Sequence, residues 1–405
     1  MPRRCMSRRR PRIVDVKSGG LSAARLERLH HVLAGYVERG ELPGFITLID
    51  RRGEVHVDCV GYERDTIFRL ASMSKPVAGA AACILVEECA IGLDDPVSKW
   101  LPELADLRVL RSIDSALEDT VPMHRPITLR DLLANTPGTG LVFADPGTYP
   151  IQEAMDRSGA IFGDRRHWSN EKYMREIGSL PLVHQPGEVW MYNAGSDILG
   201  VLVTRVSGQS FGQFLEERLF GPLGMRDSGF AVPAGKVDRL PAAYTPGGDR
   251  LKLEDGAKGD AEFSRPAGFE SGAGGLVGTI DDYHTFARML LNGGAVDNTR
   301  LLARPTVEAM TADQLTAEQK ARSPWLPDWW VSHGWGWGVG TVTRRYATTS
   351  TPGQYGWDGG FGTTWRTDPG EEMIAILMTQ VGMINPNGPS FFRDFYTSAY
   401  AAIDD

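Results

Sequence analysis

The sequence predicts an α+β fold: an antiparallel sheet completed by strands from both ends of the chain, flanked by terminal helices, with a large mainly helical region inserted between. Three observations carry that expectation. Strand-like runs occur at residues 44–61 and again beyond Trp335, a long block of helical pattern separates them, and amphipathic segments open and close the chain. Strands and helices that segregate into runs, rather than alternate, point to an antiparallel sheet rather than a parallel one. The implied layout is a basic tail over residues 1–20, a discontinuous sheet domain over 21–75 and 325–405, and a helical domain over 76–324.

The elements follow in order. Ser22 is placed to cap a first helix whose Leu26, Leu29, Leu33 and Tyr36 share one face, with Gly40 as its stop. Runs 44–50 and 55–61, joined by Arg51-Arg52-Gly53-Glu54, read as a hairpin, and a third short strand over 66–70 leads into Ser72. Residues 77–86 are apolar on all sides, which predicts a buried helix. Thr128 with Asp131, and Thr279 with Asp282, form the spacing of capping boxes, and the second helix stops at Asn292-Gly293-Gly294. Strands return over 338–344, 355–367 and 372–380, the last two joined by the turn Asp368-Pro369-Gly370-Glu371. Phe392, Phe395, Ala399 and Ile403 mark a closing helix.

Composition narrows the function classes. The 405 residues are 42% apolar and 23% charged, typical of a globular protein. The net charge of −8 is uneven: residues 1–17 carry seven basic side chains and one acid, leaving the rest at −14. A body that acidic repels phosphate backbones, so no nucleic-acid partner is expected. No apolar run approaches the roughly eighteen residues of a membrane span, and none follows the arginine-rich start as a secretion signal would require. A cytoplasmic location is the expectation. Cys5, Cys59, Cys83 and Cys89 lack CxxC spacing and read as free, buried thiols, and the histidines show no metal-ligand spacing. Neither metal nor organic cofactor is called for.

The chemistry centres on Ser72-Met73-Ser74-Lys75. Residues three apart on a helix share a face, so Ser72 and Lys75 point the same way, whereas Ser74 does not. An alcohol needs a base to become a nucleophile, and lysine serves only when burial keeps it neutral. The all-apolar helix beyond Lys75 supplies that burial, and the helix N-terminus supplies amides for a developing oxyanion.

The flanking residues 68–77 (FRLASMSKPV) resemble the nucleophile segment of the serine β-lactamase and penicillin-binding-protein superfamily, most closely its family VIII esterase branch. Further stretches resemble that family in the right order: 127–138 (ITLRDLLANTPG), 186–200 (PGEVWMYNAGSDILG), 220–225 (FGPLGM), 271–294 and 355–365 (YGWDGGFGTTW). The likeness runs from about Leu26 to Ala402. It implies the β-lactamase/DD-peptidase-like fold and an acyl-enzyme on Ser72, with Lys75 and Tyr192 as the proton-transfer pair. Asn193 directly follows the tyrosine rather than standing two residues on, and is grouped with the substrate-binding residues. Where lactamases and peptidases carry Lys-Thr-Gly, this chain has Trp357-Asp358-Gly359. An indole replaces the cation and Asp358 adds negative charge, which disfavours penicillin-like carboxylates and suits an uncharged ester. The amide of Gly360, with that of Ser72, is the expected oxyanion hole. The implied partner is a small ester or amide substrate. β-Lactamase, D-amino peptidase and acyltransferase reactions on the same site stay open, as does a non-catalytic binding protein retaining the fold.

Gly208-Gln209-Ser210-Phe211-Gly212 matches a nucleophile elbow, but a helical pattern precedes it where a strand is needed. Gly208 therefore reads as a helix stop and Ser210 as the cap of the next helix.

Overall fold

A computed structural model describes residues 19–248, 250–326 and 328–405. Most of the basic tail, with Cys5, lies outside these residues. The chain opens with helix α1 (Ala23–Glu38), the hairpin β1 (Phe45–Arg51) and β2 (Glu54–Val60), and the two-residue strand β3 (Phe68–Arg69). A 3-10 turn, Ala71–Met73, leads into α2 (Ser74–Glu87). The inserted block includes α3 (Leu129–Leu133), α4 (Ala194–Ser207), α5 (Phe211–Leu215), strand β4 (Val277–Gly278) and α6 (Ile280–Leu291), besides other helices and short two-stranded ladders. The chain closes with β5 (His333–Trp335), β6 (Gly340–Val342), β7 (Tyr355–Gly359), β8 (Thr363–Asp368), β9 (Met373–Met378) and α7 (Ser390–Ala401).

The main sheet has seven strands in the order β5-β6-β7-β8-β9-β1-β2, all antiparallel. Its middle joins the chain ends, with Ile46 opposite Met378 and Arg51 opposite Met373. Side chains alternate across a strand, so β1 and β9 each feed two cores. Phe45, Ile49, Ala375 and Leu377 pack against Leu33 of α1 and Phe395 of α7. Ile46, Leu48, Ile374 and Ile376 face the inserted helices. A strand buried on both faces needs apolar residues throughout, which explains the unbroken pattern of residues 373–378. The β1–β2 turn has Arg52 at φ 54° and Gly53 at φ 82°, the paired positive values of a two-residue hairpin loop.

Several expectations change. The strand expected over 66–70 shrinks to Phe68–Arg69 and pairs with β4 instead of joining the main sheet. The run 355–367 is a hairpin, because Gly362 at φ 85° turns the chain and its N–H donates to the Gly359 carbonyl. Ser22 occupies the cap position of α1 without a side-chain cap bond. Thr128 and Asp131 form a reciprocal capping box, but at α6 only Thr279 caps. The Asp282 carboxylate instead accepts from the Asp227 N–H and the Ser228 hydroxyl. Cys83 is buried, whereas Cys59 and Cys89 are exposed. Among the described residues no helix is long and apolar enough to cross a membrane.

Candidate active site

Ser72 sits in the 3-10 turn that starts α2, just after Ala71, whose φ of 46° is strained for an L-residue. The turn exposes Ser72 to a cavity of about 1370 Å³. Helix α2 beyond it is buried from Ser74 through Leu85, and Lys75 is wholly inaccessible. Ser74 faces away: its hydroxyl donates to the Ala71 carbonyl and accepts from the Leu276 N–H.

Lys75 Nζ lies 2.9 Å from Ser72 Oγ, 3.0 Å from Asn193 Oδ1 and 2.6 Å from the Ala273 carbonyl oxygen. Burial pulls the amine from 10.5 down to about 7. A neutral amine has two N–H groups and one lone pair. Asn193 and Ala273 can only accept here, so they take the two hydrogens and leave the lone pair facing the serine hydroxyl. That arrangement can remove a proton from Ser72.

Tyr192 precedes α4, with its ring 4.4 Å from Lys75 Nζ and its phenol beside Ser72. The phenol oxygen accepts a 2.7 Å hydrogen bond from Trp357 Nε1. Burial pushes its ionisation well above the usual tyrosine range, so at neutral pH it is a phenol that can pass a proton on.

Trp357, expected to contact substrate, therefore also holds the phenol from β7, and its ring joins a cluster with Trp190 and Trp335 beside the cavity. Asp358 adds no free negative charge. Arg366, diagonally placed on the neighbouring strand β8, donates from Nη1 to Oδ1 at 2.7 Å and from Nη2 to Oδ2 at 3.0 Å. Asn193, expected at the substrate, instead holds Lys75; its φ of 85° turns the chain into α4.

Gly360 borders the cavity with Ser72, and a Cβ added there would meet nothing. The glycine demanded by packing is its neighbour. A Cβ on Gly359 would fall inside contact distance of the Leu70 carbonyl and Thr363 Oγ1, where β7 docks against the nucleophile turn. Gly359→Ala is expected to destabilise the fold by about 2 kcal/mol or more, while Gly360→Ala leaves thermal stability nearly unchanged. Equal melting temperatures for the two variants would contradict this account.

Sequence reasoning missed Ala273, Arg366, Trp325 and Trp329. Only the aromatic clustering near 325–330 could have flagged any of them. Ser210 lies elsewhere, capping α5 in a reciprocal box with Gln213 after Gly208 ends α4.

Comparison with known proteins identifies the family. Residues 29–389 match the family model described as Beta-lactamase. Protein Rv1367c of Mycobacterium tuberculosis is 36% identical over 85% of this chain and 87% of its own length. Esterase EstB of Burkholderia gladioli is 27% identical over 93% of this chain and 96% of its own. The solved structure of EstCE1, "a hydrolase with promiscuous acyltransferase activity", is 25% identical and superposes with a TM-score of 0.75, covering 93% of this chain and 98% of that one. An α+β fold of this topology, a serine and a buried lysine in contact, and a family match across most of its length lead to one conclusion: the chain belongs to the Beta-lactamase family of serine hydrolases, among relatives that include esterases and acyltransferases.

Proposed function

We propose that this protein hydrolyses uncharged carboxylic esters through an acyl-enzyme on Ser72. The observation that carries the reading is the contact between Lys75 Nζ and Ser72 Oγ, with both amine hydrogens engaged elsewhere. Ser72 Oγ attacks the ester carbonyl as its proton passes to Lys75. The tetrahedral oxyanion rests between the amides of Ser72 and Gly360. Tyr192, held by Trp357, hands a proton to the departing alkoxide, and Lys75 replenishes the phenol. Water then attacks the acyl-enzyme by the same proton path in reverse, releasing the acid and restoring Ser72.

The cavity wall supports an uncharged substrate. The Arg366 guanidinium that lines it is neutralised by Asp358, and Trp325, Trp329 and Trp357 supply apolar surface. Phe162, Tyr346 and Ile384 at its edge are 63%, 57% and 73% exposed, which extends the apolar lining outward. The volume favours a bulky group on one side of the ester. It also leaves room for an alcohol in place of water, so acyl transfer is the second reading, in keeping with the activity named for EstCE1.

A fluorophosphonate probe followed by peptide mass spectrometry is expected to label Ser72. p-Nitrophenyl esters should be turned over at least about 100-fold faster, by kcat/KM, than a chromogenic cephalosporin. Label on another serine, or preference for the cephalosporin, would refute the reading.

A further inference from the structure

We infer that the buried pair Arg165–Asp197 is a positioning device for Lys75, fixing both carbonyl acceptors of its amine through a closed ring of hydrogen bonds. The inference rests on Lys75 acting as the base. One side of the ring starts at Asp197, on α4 and wholly inaccessible. Its Oδ1 accepts from the Ser271 hydroxyl and, at 3.1 Å, from the Ala273 N–H. The carbonyl of that same Ala273 takes one hydrogen of Lys75.

The other side starts at Arg165, which donates from Nη2 to Asp197 Oδ2 at 2.9 Å and from Nη1 to the Ile161 carbonyl at 3.2 Å. The Ile161 carbonyl also accepts from Asn193 Nδ2 at 3.3 Å. A carbonyl can only accept, so this bond orients the Asn193 amide with Oδ1 toward Lys75, where it takes the second hydrogen. Arg165 and Asp197 thus hold three separate segments, near residues 161, 193 and 273, in the arrangement that aims the Lys75 lone pair at Ser72.

Burying an ion pair carries a desolvation penalty for each ion, and apolar replacements often match it for stability. A pair with a side-chain exposure of only 11% and 0% that meets the site from behind is better explained by what it orients. Its charges also act on the amine in opposite senses, Asp197 favouring the ammonium and Arg165 opposing it. The groups that face this assembly are few. Tyr192 lies against the amine, and Tyr173, kept protonated by burial, has its ring 5.6 Å from the Arg165 guanidinium.

The test compares the pH dependence of kcat/KM for a p-nitrophenyl ester in the native chain, Asp197→Asn, Arg165→Gln and the double variant. Each single variant is expected to lose at least about tenfold at its optimum. Asp197→Asn should move the acid limb down by about half a unit or more, Arg165→Gln should move it up, and the double variant should bring it back. Limbs that stay in place, or move the same way, overturn the inference even if activity falls, because a pair that only braces the fold and is not coupled to the Lys75 amine would not shift them in opposite directions. If Asp197→Asn does not fold, the upward shift in Arg165→Gln decides alone. Ser72→Ala is the control. If that variant keeps its turnover, the reading of the site fails and this inference with it; if it is dead while the limbs stay put, only this inference fails.

Discussion

Replacing Ser72 by alanine is expected to lower kcat/KM for a short-chain p-nitrophenyl ester by about 10⁴-fold or more, with the fold intact. Ser72 is half-buried at the edge of the cavity, so removing its hydroxyl is expected to cost little stability. It does remove the atom that would form the acyl bond. Ser210→Ala is the matched comparison. Its hydroxyl caps α5 by accepting from the Gln213 N–H, so that substitution should cost about 1 kcal/mol of stability and leave most of the turnover. Steady-state kinetics and thermal melts on the two variants separate the roles. A dead Ser210→Ala beside an active Ser72→Ala would reverse the assignment.

Lys75→Met should reduce kcat/KM by about 10³-fold or more, since it keeps the volume and removes the base. The native enzyme carries a companion signature in its pH profile. The amine is protonated below about 7 and has no lone pair to offer; above that value it is neutral and competent. The acid limb of kcat/KM should therefore be half-maximal near pH 7, and a limb at carboxylate pH would point to a different base. Tyr192 is pushed above its ordinary value of 10.0, so ionisation of the phenol should not cut activity below about pH 10. The same burial carries a stability cost with a definite sign. Folded Lys75 releases its proton near 7, while the unfolded chain keeps it to about 10.5. Between those values the unfolded state binds more protons, so this group's contribution to stability rises with pH across the window. Below it the cost of the buried ammonium is present in full.

Ser72, Lys75 and Tyr192 were legible because their signals are local or tied to recognisable segments. A serine and a lysine three apart at the start of an all-apolar helix report a shared face and a dry environment without further information. The joining of the chain ends in one sheet was also readable, from the segregation of strands and helices. Errors arose where a local pattern has two tertiary outcomes. Residues 355–367 form a hairpin because Gly362 turns, and Phe68–Arg69 pairs with Val277–Gly278 of the inserted block, a partner about 210 residues away that no local pattern announces.

The amino-acid order by itself singled out the proposed nucleophile, base and phenol, along with a sheet shared between the termini. Only the tertiary structure decided what those groups touch. The acceptors that orient Lys75 lie 118 and 198 residues away, and the indole that holds Tyr192 lies 165 residues on. Asp358 is charged in any reading of the sequence, but whether that charge reaches a substrate depends on the Arg366 side chain, which reaches it from two residues along the neighbouring strand, Arg366 itself standing opposite Gly356. The physical reason is one of range. Side-chain periodicity encodes neighbours within a turn or a strand pair, whereas proton position and net charge in a cavity are set by groups that only the folded chain brings within hydrogen-bonding distance.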